Sequence, residues 1–128
     1  MKHRNVVGLV LILLLLVGPL VTAAELEGIV VFHSNRHGSN WQIYVMNADG
    51  TDVRRLTFSD RHDSYPNLSP DGTQVVFQSN RDGDWEIYKI NIDGTGETWL
   101  TFNPAADRFP QWSPDGEFVV IQSNRDGR

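Results

Sequence analysis

The chain has 128 residues, 40% hydrophobic and 21% charged, with 16 acidic against 11 basic side chains and no cysteine. That length suits one small domain, and the acidic balance argues against nucleic acid or an anionic lipid surface as partner. Without cysteine, stability has to come from a packed core and not from disulfides.

Residues 1–23 read as a secretory signal peptide. Lys2, His3 and Arg4 make a basic start, an apolar run extends from Val6 to Val21 and is broken by Gly18-Pro19, and small residues invite cleavage after Ala23 or Ala24. The competing reading is an uncleaved anchor helix, but 16 apolar residues fall short of the roughly 20 needed to cross a bilayer. No cysteine follows the small residues, so a bacterial lipid anchor is excluded. The chain is therefore expected to be exported, to the periplasm or the extracellular space, and to meet a membrane only through this segment if it stays uncleaved. Removing Lys2 and Arg4 from the 11 basic residues leaves 9 against 16 acidic ones, a net charge of −7.

Residues 24–128 repeat one pattern. "SNR" stands at Ser34-Asn35-Arg36, Ser79-Asn80-Arg81 and Ser123-Asn124-Arg125. An aromatic-led strand follows the first two as "WQIYVMN" from Trp41 and "WEIYKIN" from Trp85, then a "DGT" turn at Asp49 and Asp93, then "LTF" at Leu56 and Leu100. "SPDG" opens the next unit at Ser69-Pro70-Asp71-Gly72 and Ser113-Pro114-Asp115-Gly116, giving a period of 44 residues. In that turn, proline presets the first central position and glycine accepts the left-handed one. "PNLS" and "PQWS" are expected as short strands with proline at the start, where a missing donor is tolerated. "VVFQSN" and "VVIQSN" are expected as second strands, and Asp82-Gly83 as a hairpin turn. In "WQIYVM", Trp41, Ile43 and Val45 face one way and Tyr44 and Met46 the other, so both faces are apolar and covered. A two-sheet sandwich would show cleaner alternation. A period near 40 to 45 residues with about four short strands per unit predicts an all-β fold of four-stranded antiparallel propeller blades.

"PQWSPDGEFVVIQSNRDG" with "EIYKINIDGTGETWLTF" resembles the WD-like repeat of TolB-type β-propellers, periplasmic proteins of the Tol–Pal envelope system. The same repeat builds propellers in prolyl-oligopeptidase-like and tricorn-like proteases. With the Pro-led strand innermost, as the resemblance implies, the chain holds a partial blade over 29–58, a full blade over 65–102 and a partial blade over 109–128. Just over two blades cannot close a ring of about 4 to 8. The chain is thus expected to be a fragment of a longer propeller or, if complete, to assemble as several copies. The domain that precedes the propeller in TolB has no room between the leader and the first strand.

Candidate chemistry is sparse. His33 and His37 flank the first "SNR" and are replaced by Gln78 and Asp82 in the second copy, so they and His62 read as exposed polar residues and not as metal ligands. Asp63 and Asp107 occupy equivalent positions. They read either as channel-facing acids (an acid–base pair or cation ligands) or as structural acids that cap a loop or pair with a repeated Arg. Their recurrence in each unit favours structure. Arg36, Arg81 and Arg125 read as an anion-binding ring or, again by recurrence, as forks onto a turn carboxylate such as Asp71 or Asp115. "NIDGTGE" lacks the further acids of a calcium loop, and no G-x-S-x-G, H-E-x-x-H or phosphate loop occurs. No cofactor and no catalysis are expected from these residues. The expected role is protein recognition by a rigid scaffold, with partners found by the stretches that differ between units, "SDRHDSY" from Ser59 and "NPAADRF" from Asn103. The competing reading is the entrance domain of a larger hydrolase, and a third is a truncated product with too small a core to fold.

Overall fold

The computed structural model describes residues 27–127, so the expected leader, 1–23, lies outside the described residues. Three antiparallel meanders follow one another. β1 (Ile29–Ser34), β2 (Gln42–Asn47) and β3 (Arg54–Arg55) form the first sheet. The second has β4 (Asp63–Leu68), β5 (Gln74–Ser79), β6 (Glu86–Asn91) and β7 (Thr98–Trp99), and the third has β8 (Asp107–Trp112) and β9 (Val119–Ser123). The chain is all-β, built as part of a propeller: one four-stranded blade between two incomplete ones. Neighbouring blades meet through β1 against β4 and β5 against β8.

β-branched and aromatic residues fill these strands because they suit a pleated surface buried on its faces. Ile43, Tyr44 and Val45 of β2 are all nearly inaccessible, so both faces of that strand are covered, as its pattern demands. Ile43, Val45 and Leu56 pack with Val75, Phe77, Tyr88 and Ile90 in one cluster that joins the first blade to the second. Burial of each large side chain contributes on the order of 2 kcal/mol. In the "SPDG" turns the glycines take the left-handed conformation, φ 74° at both Gly72 and Gly116. Asp71 accepts hydrogen bonds from the Ser69 hydroxyl (2.6 Å) and the Thr73 amide (3.0 Å). Asp115 does the same with Ser113 and Glu117.

Those turn carboxylates are therefore engaged locally, and the fork expected between them and the repeated Arg residues is replaced by another. The Arg81 Nη2 donates to both oxygens of Asp63, at 3.1 Å each, and Arg125 Nη2 reaches Asp107 at 3.1 and 3.3 Å. In each case the Nε donates to the serine of the same "SNR", Ser79 (2.9 Å) or Ser123 (3.0 Å). The asparagine in between accepts the amide of the residue just ahead of the acid, Asn80 from His62 and Asn124 from Ala106. The motif is a clamp. It joins the end of a blade's second strand to the start of its first, which the meander places side by side.

The innermost strands depart from the expected proline-led form. Pro66 and Pro110 lie inside β4 and β8 at bulges, where two residues oppose one on the partner strand. The residues before them, Tyr65 and Phe109, both have φ 53°, a conformation uncommon for bulky side chains. Proline supplies no amide to the ladder, so the bulge spares the sheet a lost bond.

Replacing Asp63 with Asn should lower unfolding stability by roughly 1 to 3 kcal/mol, because the Arg81 guanidinium loses the fully buried one of its two carboxylate partners and keeps Glu97. Asp107→Asn should cost less, since Arg125 is 52% exposed against 21% for Arg81. Urea midpoints of the two variants measure the difference.

Candidate functional site

At the end of the blades where β4 and β8 begin, a cavity of about 450 Å³ opens between the three sheets. It is built from pairs of equivalent positions. Trp41 and Trp85 enter just ahead of β2 and β6, and Tyr65 and Phe109 come from the two bulges. His33 and Gln78 come from the ends of β1 and β5, while Ser64 and Arg108 precede the bulges. His62 adds a side chain from the loop before β4.

The bulges explain why aromatic residues stand open here. A left-handed residue turns its amide out of its own ladder, and the neighbouring blade supplies the acceptor. Tyr65 N–H donates to His33 Nδ1 at 3.0 Å, and Phe109 N–H donates to Gln78 Oε1 at 2.9 Å. The rings are left at the mouth, with Tyr65 50% and Phe109 39% exposed. Tyr65 meets Phe109 edge-on at 4.8 Å, and His33 lies edge-on to both Trp41 (4.9 Å) and Tyr65 (5.4 Å). Such edge contacts add about 0.5 to 1.5 kcal/mol beyond area burial. The Arg108 guanidinium lies 5.6 Å from the Trp85 ring centroid.

The charges around the cavity are set by the same contacts. His33 must carry its proton on Nε2, since Nδ1 accepts, and burial lowers its pKa from the ordinary 6.5. His62 is fixed likewise, because its Nδ1 accepts the Trp41 amide at 3.2 Å. Burial pushes the Asp107 carboxyl up, but hydrogen bonds from Ser123, Asn103 and Arg125 together hold it below its ordinary 3.8.

Asp63 and Asp107, weighed as channel-facing acids, have no exposed surface and are held by Arg81 and Arg125. They cannot present a free carboxylate to the channel. The residues of "SNR" and "SPDG" are brought into the clamps and turns and stay out of the cavity. Arg36 repeats the local part of that clamp, with its Nε on Ser34 Oγ at 3.2 Å and its guanidinium over Phe32 and Tyr44. His33 and His62 are not the exposed polar residues their sequence context suggests, and His37 Nδ1 shares a hydrogen bond of 2.8 Å with Tyr44. Among the described residues no three His, Asp or Glu side chains converge as a metal site. The stretches that differ between units supply His62, Ser64 and Tyr65 on one side and Arg108 and Phe109 on the other. Trp41 and Trp85 were legible only as strand leaders. The aromatic-proline pairs "YP" and "FP" were the signal that could have marked the bulges.

The family model described as "Tricorn protease N-terminal beta propeller domain" matches residues 29–128. The chain belongs to that family. Comparison with curated proteins gives no match. Among solved structures, the chain is similar to a putative TolB from Agrobacterium tumefaciens, at 29% identity and a TM-score of 0.69, over 80% of this chain and 36% of that one. It is similar to TolB from Acinetobacter baumannii at 27% identity and a TM-score of 0.64, over 73% of this chain and 23% of that one. A puromycin hydrolase is similar at 25% identity and a TM-score of 0.55, over 68% of this chain and 16% of that one. The resemblance to TolB-type propellers carried by "SPDG" and "SNR" thus holds in three dimensions. The chain spans well under two thirds of each of these proteins.

The His33 contact makes the first blade interface sensitive to acid. The folded pKa lies below the unfolded one, so its contribution is full above about pH 6.5 and is lost as pH falls further. Between about pH 7 and about pH 5 the wild-type melting temperature should fall more than that of His33→Gln, which copies the second interface. Thermal melts of the two proteins across that range check it.

Proposed function

We propose that this chain is a non-catalytic recognition module of the cell envelope, which binds a protein partner at the aromatic mouth between its blades. The observation that carries this reading is the cavity itself. Tyr65 and Phe109, each held by the same backbone bulge, stand partly exposed at its mouth, and Trp41 and Trp85 line it behind them. Exposed aromatic groups beside an Arg are the composition of interface anchors. The acids that could have served as an acid–base pair are committed to Arg81 and Arg125. The likeness to TolB proteins supports the same role, and with the basic, apolar amino-terminal run it supports export to the periplasm.

The competing reading is the entrance domain of a larger hydrolase. It draws on the tricorn family and on the puromycin hydrolase likeness, and it places the nucleophile on another part of a longer protein. In that case the same mouth would admit substrate and not hold a partner.

Two results test the proposal together. Mass spectrometry of protein recovered from the envelope fraction should give an amino terminus at Ala24 or Glu25. Crosslinking from that fraction should trap a defined protein partner with wild type, and Trp41→Ala/Phe109→Ala should lose it while keeping its β-sheet dichroism. An intact amino terminus in the cytosol would overturn export. A crosslink unchanged by the double substitution would overturn the cavity as the contact.

A further inference from the structure

We propose that the cavity between the blades accepts a carboxylate carried on an apolar or aromatic body, with Arg108 as the residue that takes the carboxylate. This rests on reading the cavity as a recognition site and adds the class of ligand it would recognise. The polar lining decides the sign of the ligand. Among the described residues no Asp or Glu lines the cavity, although acidic residues outnumber basic ones in the chain by 16 to 11. Four acids stand next to its lining residues in sequence: Asp63 and Asp107 are buried and engaged by Arg81 and Arg125, while Asp84 and Glu86, on either side of Trp85, line a separate cavity.

The groups that remain are almost all donors. Gln78 spends its carbonyl oxygen on the Phe109 amide, which leaves its NH2 to donate. His33 and His62 each spend Nδ1 on a backbone amide, so each offers Nε2–H. Trp41 and Trp85 have only indole N–H groups to offer. The Ser64 and Tyr65 hydroxyls can act either way. Arg108 is exposed, and among the described residues it makes no ion pair, unlike Arg54, Arg81 and Arg125. Its equivalent in the preceding blade is Ser64, so the guanidinium is no part of the repeated framework.

Shape selects within the anions. One guanidinium is a planar fork that matches one carboxylate, and that of Arg108 stands within cation–π reach of Trp85, 5.6 Å from the ring centroid. The Trp41, Tyr65, Trp85 and Phe109 rings give the remainder of the ligand an apolar wall. A volume of about 450 Å³ lies in the range of small-ligand pockets, enough for a small acid or the end of a chain. A free aromatic acid and the carboxyl end of a polypeptide share this chemistry.

The test uses the full chain and follows the indole N–H signals of Trp41 and Trp85 by NMR. The ligands are N-acetyl-L-phenylalanine, its amide, and a tetra-alanyl-phenylalanine peptide with a free carboxyl end. The acid should bind about ten- to a hundredfold more tightly than the amide, as a charge-assisted hydrogen bond predicts. Arg108→Gln, at an exposed position whose side chain makes no hydrogen bond among the described residues, should remove that difference. Peptide binding equal to that of the acid would assign a chain end, and binding of the acid alone a free small acid. Equal binding of acid and amide to wild type would overturn the assignment of Arg108 and leave recognition by the aromatic mouth intact. Indole signals unmoved by all three ligands would overturn both this inference and the cavity as the contact in the proposed function.

Discussion

A left-handed residue placed just before a proline is a costly piece of backbone, and this chain uses it twice. Tyr65 and Phe109 each hold φ 53°, a strain of order 1 to 3 kcal/mol for a bulky residue. What offsets it is contact across the blade boundary. The amide turned out of the ladder is received by His33 or Gln78, and the ring turned outward is received by its aromatic neighbours. The bulge therefore does two things with one distortion. It locks each blade to the one before, and it lifts an aromatic side chain to the mouth of the cavity. Remove the bulge and the innermost strand would become regular, with Pro66 breaking its ladder and Tyr65 returned to a face of the sheet.

The Asp–Arg clamps make that distortion tenable by fixing the chain on the upstream side. Asp63 is tied to Arg81 by both carboxylate oxygens, and its amide donates to the Trp41 carbonyl at 2.8 Å. Asp107 is held the same way between Arg125 and the Trp85 carbonyl at 2.7 Å. Each acid thus stands between two blades, with its side chain bound to its own and its backbone bound to the previous one. A buried ion pair of this kind adds little net stability compared with an apolar pair of the same shape, but it tolerates no lost partner. Its value here is positional: it sets where the strand begins, two residues ahead of the bulge.

Much of this was legible before any coordinates. The 44-residue period, the "SPDG" and "DGT" turns and the two-sided apolar pattern of "WQIYVM" are local signals, and each led to the right element. The recurrence of Asp63 and Asp107 points to acids that pair with a repeated Arg, and they do. From the Arg side the turn carboxylates look equally suitable, because choosing between them requires knowing that the start of a blade's first strand and the end of its second lie side by side. Asp71 is nearer in sequence to Arg81 than Asp63 is, yet Asp71 is consumed within its own turn by Ser69 and Thr73. The bulge was missed for a related reason. Alternation of side chains signals a strand but not a slip in its register, and the proline was read as the start of β4 when it sits in its middle. His33 was set aside because its counterpart is glutamine, which cannot bind metal as histidine does. What the two share is an acceptor atom, and that is the property this position uses.

Variation between equivalent positions consequently has two physical meanings in this molecule. At His33 and Gln78 the residue types differ while the backbone duty is the same, and any side chain that presents an acceptor at that reach would satisfy it. Such a difference carries no information about a partner, although it changes how the interface answers to pH. At Ser64 and Arg108 there is no repeated duty. Among the described residues no carboxylate holds Arg108, and the clamps and turns form without its side chain. A long, charged side chain that the fold does not require, set among aromatic rings that the fold holds open, is the kind of difference that recognition can exploit. In this chain, positions that differ between blades are candidates for recognition only after the acceptors owed to a neighbour's bulge have been set aside.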